Sequence, residues 1–420
     1  MTASDTHRAI QAVWRIESAR LIAGLARLVR DVGLAEELAQ DALVIALERW
    51  PQSGVPDNPG AWLMATAKHR ALDVLRRGQR FAHTRERLGH VLEVQGTQVA
   101  PEPEATLAGD VGDDLLRLVF TSCHPVLPPE ARVALTLRLL GGLTTAEIAR
   151  AFLVPEPTVA QRIVRAKRTL AEAQVPFEVP EGAELSARLA SVLEVIYLVF
   201  NEGYAATAGE DWMRPELCAD ALRLGRVLAE LTPREPEVHG LVALMELQAS
   251  RARARVGPAG EPILLLEQNR GRWDHLLIHR GLQALARAEA LGGQRGPYAL
   301  QAAIAACHAR ARTAEETDWV RVAALYAALV QVLPSPIVEL NRAVALSMAF
   351  GPAVGLELVD ALTHEPALEG YHLLPSVRGD LLAKLGRFDE ARAEFERAAA
   401  LTRNARERDV LLARAATGGR

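Results

Sequence analysis

Two short helical segments separated by a tight break constrain this chain more than any other feature. They lie between Gly142 and Leu170, in the stretch GLTTAEIARAFLVPEPTVAQRIVRAKRTL. TTAEIARAF predicts a first helix, LVPEP a break, and TVAQRIVRAKRTL a second helix that is rich in arginine and lysine. This is the helix-turn-helix pattern, whose second helix enters the DNA major groove. The alternative interpretation is an ordinary helical hairpin with a solvated basic face.

The residue types in this motif predict distinct roles. Thr144 or Thr145 is expected to cap the first helix, with Glu147 as the returning acid of a capping box, and Thr158 is expected to cap the second helix. The candidates for contact with base edges are the early residues of the second helix, namely Thr158, Gln161 and Arg162. The candidates for contact with phosphates are Arg165, Lys167 and Arg168.

Composition limits what surrounds the motif. The chain has 420 residues, of which 50% are hydrophobic and only 5% aromatic, and this favours helices throughout and several domains. Its formal net charge is −4, so any affinity for DNA must come from local basic patches. The 3 cysteines are far apart and fit a reducing compartment without a metal site. The N-terminus lacks the features of a signal peptide, and Val192–Phe200 is too short to span a membrane, so a cytoplasmic protein is expected.

The N-terminal region predicts three helices. Residues 7–50 have apolar positions at helical spacing, interrupted at Asp31 and Gly33. The segment Pro51–Gly60 contains three prolines and two glycines and predicts a loop. The helix AWLMATAKHRALDVLRRGQR that follows carries five basic residues in its second half against the single acid Asp73. The alternative is an amphipathic helix pair whose arginines serve only solubility.

The rest of the chain predicts a linker and a long helical region. Periodicity fades from about Phe81 to Gly112, where an acidic stretch contains two prolines. Near the C-terminus, Gly379, Ala391, Phe395 and Ala398 have the spacing of a tetratricopeptide repeat, in which small residues let two helices approach. The segment Pro336–Leu362 resembles a degenerate second copy.

Taken together, these segments resemble the extracytoplasmic-function sigma factors of the sigma-70 family. AEELAQDALVIALERW is similar to the helix that binds core RNA polymerase, and NPGAWLMATAKHRALDVLRR to the helix that contacts the −10 promoter element. LPPEARVALTLRLLGGLTTAEIARAFLVPEPTVAQRIVRAKRTL resembles the domain that reads the −35 element. FNEGYAAT, the Trp273-Asp274 segment and the repeat resemble the branch with a long helical extension. One departure is LVPEP, since glycine is common in the family's turn.

The resemblance implies an all-α fold in which two small helical sigma domains, the second a helix-turn-helix, are joined by a linker and followed by a tetratricopeptide-like helical domain. The implied domains are residues 1–80 (sigma domain 2), 81–112 (flexible linker), 113–175 (sigma domain 4) and 183–420 (regulatory domain). The implied partners are the clamp helices of the largest polymerase subunit, promoter DNA at the −35 and −10 elements, and a protein or peptide that binds the C-terminal domain. No cofactor, metal or enzymatic activity is expected.

The resemblance also implies site residues. Those expected to meet polymerase are Leu38, Gln40, Asp41 and Ile45. The loop 52–58 would capture a flipped −10 base, and the residues expected to support the melted strand are Asn58, Trp62, Lys68, Arg70, Arg76 and Arg77. Trp62 is alternatively a core residue.

Two rival classes stay open at this point. One is a helix-turn-helix regulator with a repeat-type sensor, which would not need the first 80 residues in this form. The other is an enzyme in the C-terminal half that uses His275, His279 or Glu202. HLLIH lacks the glutamate of a zinc-hydrolase HExxH motif, and FNEGYAAT is better explained as a packed corner between helices than as a ligand site.

Overall fold

The computed structural model of the chain describes residues 3–89, 111–152, 154–206, 213–258 and 261–417. Within these ranges the regular secondary structure is helical, and an isolated bridge pairs Val256 with Pro262. The all-α prediction is therefore confirmed. The chain divides into two compact units, Met1–Val195 and Ile196–Arg420.

The helices of the first unit are α1 (Ala3–Val29), α2 (Val32–Ser53), α3 (Pro59–Gly89), α4 (Val111–Ser122), α5 (Pro129–Leu139), α6 (Thr145–Phe152), α7 (Glu156–Glu172) and the beginning of α8 (Gly182–Tyr204). In this unit α1 packs against α2, α3 and α4, while α7 packs against α5 and α6.

The second unit holds the end of α8 and the helices α9 (Pro215–Leu231), α10 (Pro236–Ala249), α11 (His275–Ala290), α12 (Pro297–Arg310), α13 (Trp319–Val332), α14 (Pro336–Phe350), α15 (Pro352–Leu362), α16 (Leu373–Lys384), α17 (Phe388–Leu401) and α18 (Ala405–Thr417). Short 3-10 helices lie at Ala252–Ala254, Leu265–Glu267, Arg270–Arg272 and Pro366–Leu368. Successive α-helices pack mainly on their neighbours in the chain.

Local chemistry explains the N-terminal helix boundaries. Asp31 caps α2, and its carboxylate accepts a hydrogen bond from the Leu34 amide at 2.9 Å, at the position where the sequence predicted an interruption between helices. The helix runs past Pro51 to Ser53 and is capped by Gly54. The φ of Gly54 is 84°, a value that glycine adopts without strain. The predicted loop therefore begins three residues later than expected.

The predicted linker differs from the structure at its start. α3 continues to Gly89, although the linker was expected from Phe81. The sequence FAHTRERLG contains no proline and several good helix formers, so nothing interrupts the helix before its terminal glycine. Residues 90–110 of the predicted linker lie outside the described residues, and its last two residues, Val111 and Gly112, begin α4 instead.

The C-terminal hairpin has the packing that its sequence predicted. A Cβ atom added to Gly379 on α16 would lie 2.9 Å from the Phe395 ring on α17, so the absence of a side chain admits the aromatic. Ala391 and Ala398 are fully buried beside it. The second predicted copy is also a hairpin, in which Gly355 on α15 packs against Ser347 on α14.

Candidate nucleic-acid interface

A capping box fixes the start of the helix-turn-helix. The Glu147 carboxylate accepts a hydrogen bond from the Thr144 amide at 2.7 Å, and the Thr144 hydroxyl accepts one from the Glu147 amide at 3.2 Å. The predicted reciprocal cap is confirmed, with Thr144 rather than Thr145 as the capping residue.

The turn is built without glycine. α7 begins at Glu156, and Pro155 precedes it with extended backbone angles (φ −59°, ψ 139°) and no side-chain cap. Pro157 lies in the first turn, where a missing amide hydrogen removes no helical bond. The prediction that Thr158 caps this helix is therefore wrong, because the cap position is Pro155, three residues earlier.

The two helices of the motif share a small apolar core. Ile148 and Ala149 on α6 and Val159 and Ile163 on α7 are all buried, as the spacing predicted. This packing fixes the rotation of α7 and hence the face that it turns outward.

The outward face of α7 carries three of the predicted DNA contacts. Gln161, Arg165 and Arg168 are exposed and repeat at intervals of four and three residues, so they lie along one side. Thr158 and Arg162 are half-buried at the edges of this face. Arg168 also forms a 3.3 Å ion pair with Glu172, but both side chains are about 70% exposed, so the pair competes weakly with a phosphate.

Sequence reasoning missed Val164. Its side chain is 64% exposed and lies at the edge of the Gln161–Arg168 face, about 60° around the helix from Gln161. A periodicity argument assigns valine to the core, but position 164 falls between the buried positions 163 and 166. An apolar side chain on such a face suits a thymine methyl group.

Lys167 points away from this face. It lies about 120° around the helix from Gln161 by helical geometry, and its ammonium contacts the buried carboxylate of Glu36 on α2. Only 21% of its side chain is exposed. In this arrangement Lys167 is not presented with the other predicted phosphate contacts.

The candidate −10 residues are spread along α3 and its start. Asn58 caps the helix by accepting a hydrogen bond from the Ala61 amide at 3.0 Å. Trp62 is half-buried, with its ring edge-on to Trp50 at 5.3 Å, so it packs partly into the core, and its support of the melted strand stays a prediction. Arg76 and Arg77 are exposed. Burial, and then the nearby Arg27, lower the pKa of Lys68.

The polymerase candidates on α2 fall into different environments. Leu38 is 3% exposed and belongs to the core, whereas Ile45 is half-buried. Asp41 is exposed and forms an ion pair with Arg70 of α3, which joins a polymerase candidate to a −10 candidate. Val44, which sequence reasoning missed, is 51% exposed one turn beyond Asp41.

The residues of the rival enzyme hypothesis do not assemble a metal site. His275 and His279 are exposed on α11, and no group of three or more metal-binding side chains occurs in the described part of the chain. Glu202 is buried and ion-paired with Arg214. The Tyr204 ring stacks on Phe200 at 5.7 Å. The described part of FNEGYAAT, Phe200 to Ala206, therefore forms a packed corner, and Thr207 lies outside the described residues.

Comparison with known proteins gives the same order of domains. Residues 16–81 match sigma-70 region 2, residues 117–170 match sigma-70 region 4, and residues 188–289 match a family of unknown function, DUF6596. None of the described helices is long and apolar enough to span a bilayer.

Three relatives extend this comparison. An uncharacterized protein of Rhizobium meliloti is 44% identical over 385 residues, which cover 91% of this chain and 89% of that protein. A probable ECF RNA polymerase sigma factor, SigI, of Mycobacterium tuberculosis is 27% identical over 41% of this chain and 58% of its own length. The ECF RNA polymerase sigma factor SigK of Mycobacterium ulcerans is 31% identical over 35% of this chain and 75% of its own length. The chain therefore belongs to the extracytoplasmic-function sigma factors of the sigma-70 family, with a long helical C-terminal extension.

Proposed function

We propose that this chain acts in the cytoplasm as a sigma factor that binds core RNA polymerase and directs promoter-specific initiation, while its C-terminal extension modulates that activity. The observation that carries the proposal is the exposed Gln161–Arg165–Arg168 face on α7. That face is held by a capped helix-turn-helix in the same compact unit as α2 and α3.

The two DNA-contacting elements would act together. α7 would read the −35 element, with Gln161 and Val164 at base edges and Arg165 and Arg168 on phosphates. The loop 52–58 would take the flipped −10 base, and Arg76 and Arg77 would neutralise the melted strand. Each contact is weak alone, and polymerase raises the effective concentration of one element once the other is bound.

Run-off transcription with purified core polymerase tests the proposal directly. Genomic fragments serve as templates, and sequencing of the 5′ ends maps the start sites. A sigma factor should produce defined starts that share −35 and −10 sequences and that core alone does not produce. A DNA-binding regulator without polymerase function would bind fragments but leave the products of core unchanged.

Asp41 and Arg70 form one ion pair but have different proposed roles, in polymerase binding and in −10 DNA binding, and single substitutions distinguish these roles. Asp41→Ala should weaken binding to core polymerase by roughly tenfold, since a charged contact is worth about 1.5–3 kcal/mol. Arg70→Ala breaks the same ion pair from the other side and should leave core affinity within about twofold, because an exposed pair contributes little itself. Fluorescence anisotropy with labelled chain measures both. Equal losses in the two variants would mean that the pair only supports the helices.

Testing the role of the extension requires a truncation that leaves the first half of α8 in place. Arg188 donates a hydrogen bond to the Phe120 carbonyl at 3.0 Å, and Ser191 donates one to the Cys123 carbonyl at 2.7 Å, so the first half of α8 is part of the first unit. A chain ending at Glu178 should therefore lose stability in α4 and α5. A chain ending at Ala206 keeps these bonds.

We expect the chain ending at Ala206 to differ from the full chain in run-off yield, while the chain ending at Glu178 also melts at a lower temperature by circular dichroism. A higher yield would assign an inhibitory role to the extension, and a lower yield an activating one. Equal yields from the full chain and the chain ending at Ala206 would contradict a modulating role.

A further inference from the structure

Two arginines and a tryptophan lie together inside the second unit, away from the residues discussed so far. Arg251 follows α10 and is half-buried, while Arg270 is 9% exposed and Trp273 is 4% exposed in the segment before α11. The guanidinium carbons of Arg251 and Arg270 lie 5.8 Å and 5.1 Å from the centre of the Trp273 ring. Two like charges therefore share one buried indole.

The hydrogen bonds of these two arginines go to neutral acceptors. Arg251 donates to the Tyr204 hydroxyl and to the Gln248 side-chain oxygen. Arg270 donates to two backbone carbonyls and to the Thr317 hydroxyl, at 2.7 to 2.9 Å. Among the described residues, neither guanidinium forms an ion pair with a carboxylate. That part of the chain therefore holds both positive charges without a direct counter-charge.

The surrounding groups leave the positive charge uncompensated. Burial, and then Arg251, lower the pKa of Arg270. Glu315 and Glu316 oppose this lowering, but neither forms an ion pair with Arg270. Burial, and then Arg251 and Arg270, lower the pKa of His308 to about 4, so its imidazole is neutral near pH 7. A negatively charged group would relieve this accumulation of positive charge.

Two hydrogen-bond donors in the same group have no acceptor. Trp273 Nε1 and Arg270 Nε are buried and donate to nothing in the described part of the chain. Indole and guanidinium nitrogens can only donate, so each requires an acceptor. Donor groups beside uncompensated cations suit an oxyanion, which accepts several charge-assisted hydrogen bonds.

We propose that Arg251, Arg270 and Trp273 bind the phosphate group of a small ligand. A phosphate monoester carries close to two negative charges near neutral pH, which matches two guanidiniums better than the single charge of a carboxylate. Arg270 and Trp273 are too deeply buried for the backbone of a DNA duplex, whereas the half-buried Arg251 gives a small molecule access. The site lies beside the packed FNEGYAAT corner, whose Tyr204 positions Arg251.

An occupied site would give the extension a chemical signal to which it could respond. That consequence rests on the proposed function, but phosphate binding itself does not.

Fluorine NMR on the full chain, labelled with 5-fluorotryptophan, tests for binding. The chain has 6 tryptophans, and Trp273→Phe identifies the signal of Trp273. Inorganic phosphate at about pH 7.5 should shift this signal saturably, with a dissociation constant of about 1 mM or below. Potassium chloride at the same ionic strength should leave it in place. A shift that does not saturate, or that potassium chloride reproduces, would overturn the site.

Substitution of Arg251 tests which residues bind the phosphate. Arg251→Gln should weaken phosphate binding by roughly tenfold or more, because it removes the accessible guanidinium. Arg253→Gln is the matched control, since it removes the same charge from an exposed neighbour and should change the affinity by less than about twofold.

A second variant covers the case in which Arg251→Gln does not fold, as judged by circular dichroism. Arg251→Lys keeps the positive charge but loses the planar pair of donors, so it should still weaken phosphate binding by about threefold or more. An affinity equal to that of Arg253→Gln, in a folded Arg251→Gln or in Arg251→Lys, would overturn the assignment.

Two further probes define the ligand class. Acetate should bind at least about tenfold more weakly than phosphate, and equal or tighter binding of acetate would overturn the assignment to phosphate. Phenyl phosphate distinguishes an organic phosphate from the free ion. Tighter binding than inorganic phosphate supports the site with an organic ligand, and weaker binding supports it with the free ion. Saturable binding in a chain without run-off activity would retain the site and reject the sigma factor role.

Discussion

Replacing Arg165 and Arg168 together with alanine is expected to reduce promoter-specific transcription by roughly a hundredfold or more, with core binding unchanged. Both side chains lie on the exposed face of α7, and neither takes part in the core of the helix-turn-helix. Hydrogen bonds to charged groups contribute about 1.5–3 kcal/mol each, so the loss of two corresponds to a factor of roughly a hundred or more. Run-off yield on a mapped promoter measures the loss, and anisotropy with labelled core measures polymerase affinity.

The second unit provides a charge-matched control. Arg392→Ala with Arg397→Ala removes two exposed arginines from α17 and should leave the run-off yield unchanged in a purified system. Loss of core affinity in parallel with transcription would contradict the assignment of α7 to DNA. Full retention of transcription would remove the −35 role altogether.

Val164→Ala on the same face separates affinity from sequence choice. It removes no charge, so most of the yield should survive, but preference at one base pair should relax by about 1 kcal/mol, the scale of one or two buried methyl groups. A panel of −35 substitutions reads out the change. An unaltered preference at every position would mean that Val164 does not contribute to recognition of the −35 sequence.

The helix-turn-helix shows how far a sequence constrains such a site. The capping box and the buried set were predictable, because they depend on spacings of three or four residues. The start of α7 was not, because Pro155 and Pro157 support a helix without the usual side-chain cap. The partner of Lys167 was also out of reach, since Glu36 is distant in sequence and no periodic pattern connects the two.

The helices α2 and α3 show the same difference between features that local sequence predicts and features that depend on packing. The sequence located α2, the following loop and α3, because apolar spacing, Asp31 and the glycine-proline loop punctuate them. It did not reveal that Leu38 is in the core or that Asp41 pairs with Arg70, since both depend on how α3 packs against α2. Leu38, Gln40, Asp41 and Ile45 remain predicted polymerase contacts.

The extension was predictable only where packing has a compositional signature. Gly379 and Phe395 predict a close helix pair, because the large Phe395 ring fits only where the facing residue has no side chain. α10 gives no such signal. Its residues Gly240 to Leu247 are all buried, so the alternation that marks an amphipathic repeat disappears.

A substitution in FNEGYAAT, Gly203→Ala, is expected to lower the stability of the chain. In Gly203→Ala the new Cβ would lie 2.6 Å from the Cys218 backbone nitrogen and 3.0 Å from the Arg214 carbonyl oxygen. Neither is a flexible side-chain end, so α8 and α9 must separate. We expect a loss of about 2–3 kcal/mol in the free energy of unfolding, even though alanine favours helix over glycine by up to about 1 kcal/mol. Urea unfolding of the full chain measures the loss.

Cys218 gives a local readout of the same event. Burial raises the pKa of its thiol to about 12, so it is protonated and unreactive near neutral pH in the packed corner. Gly203→Ala should accelerate its alkylation, followed by mass spectrometry. Gly225→Ala is the matched control in α9, because its Cβ meets chiefly the mobile methyl end of Met245 at 2.6 Å. A ligand site would instead tolerate Gly203→Ala in both stability and alkylation rate, since a pocket has room for one methyl group where a packed corner has none.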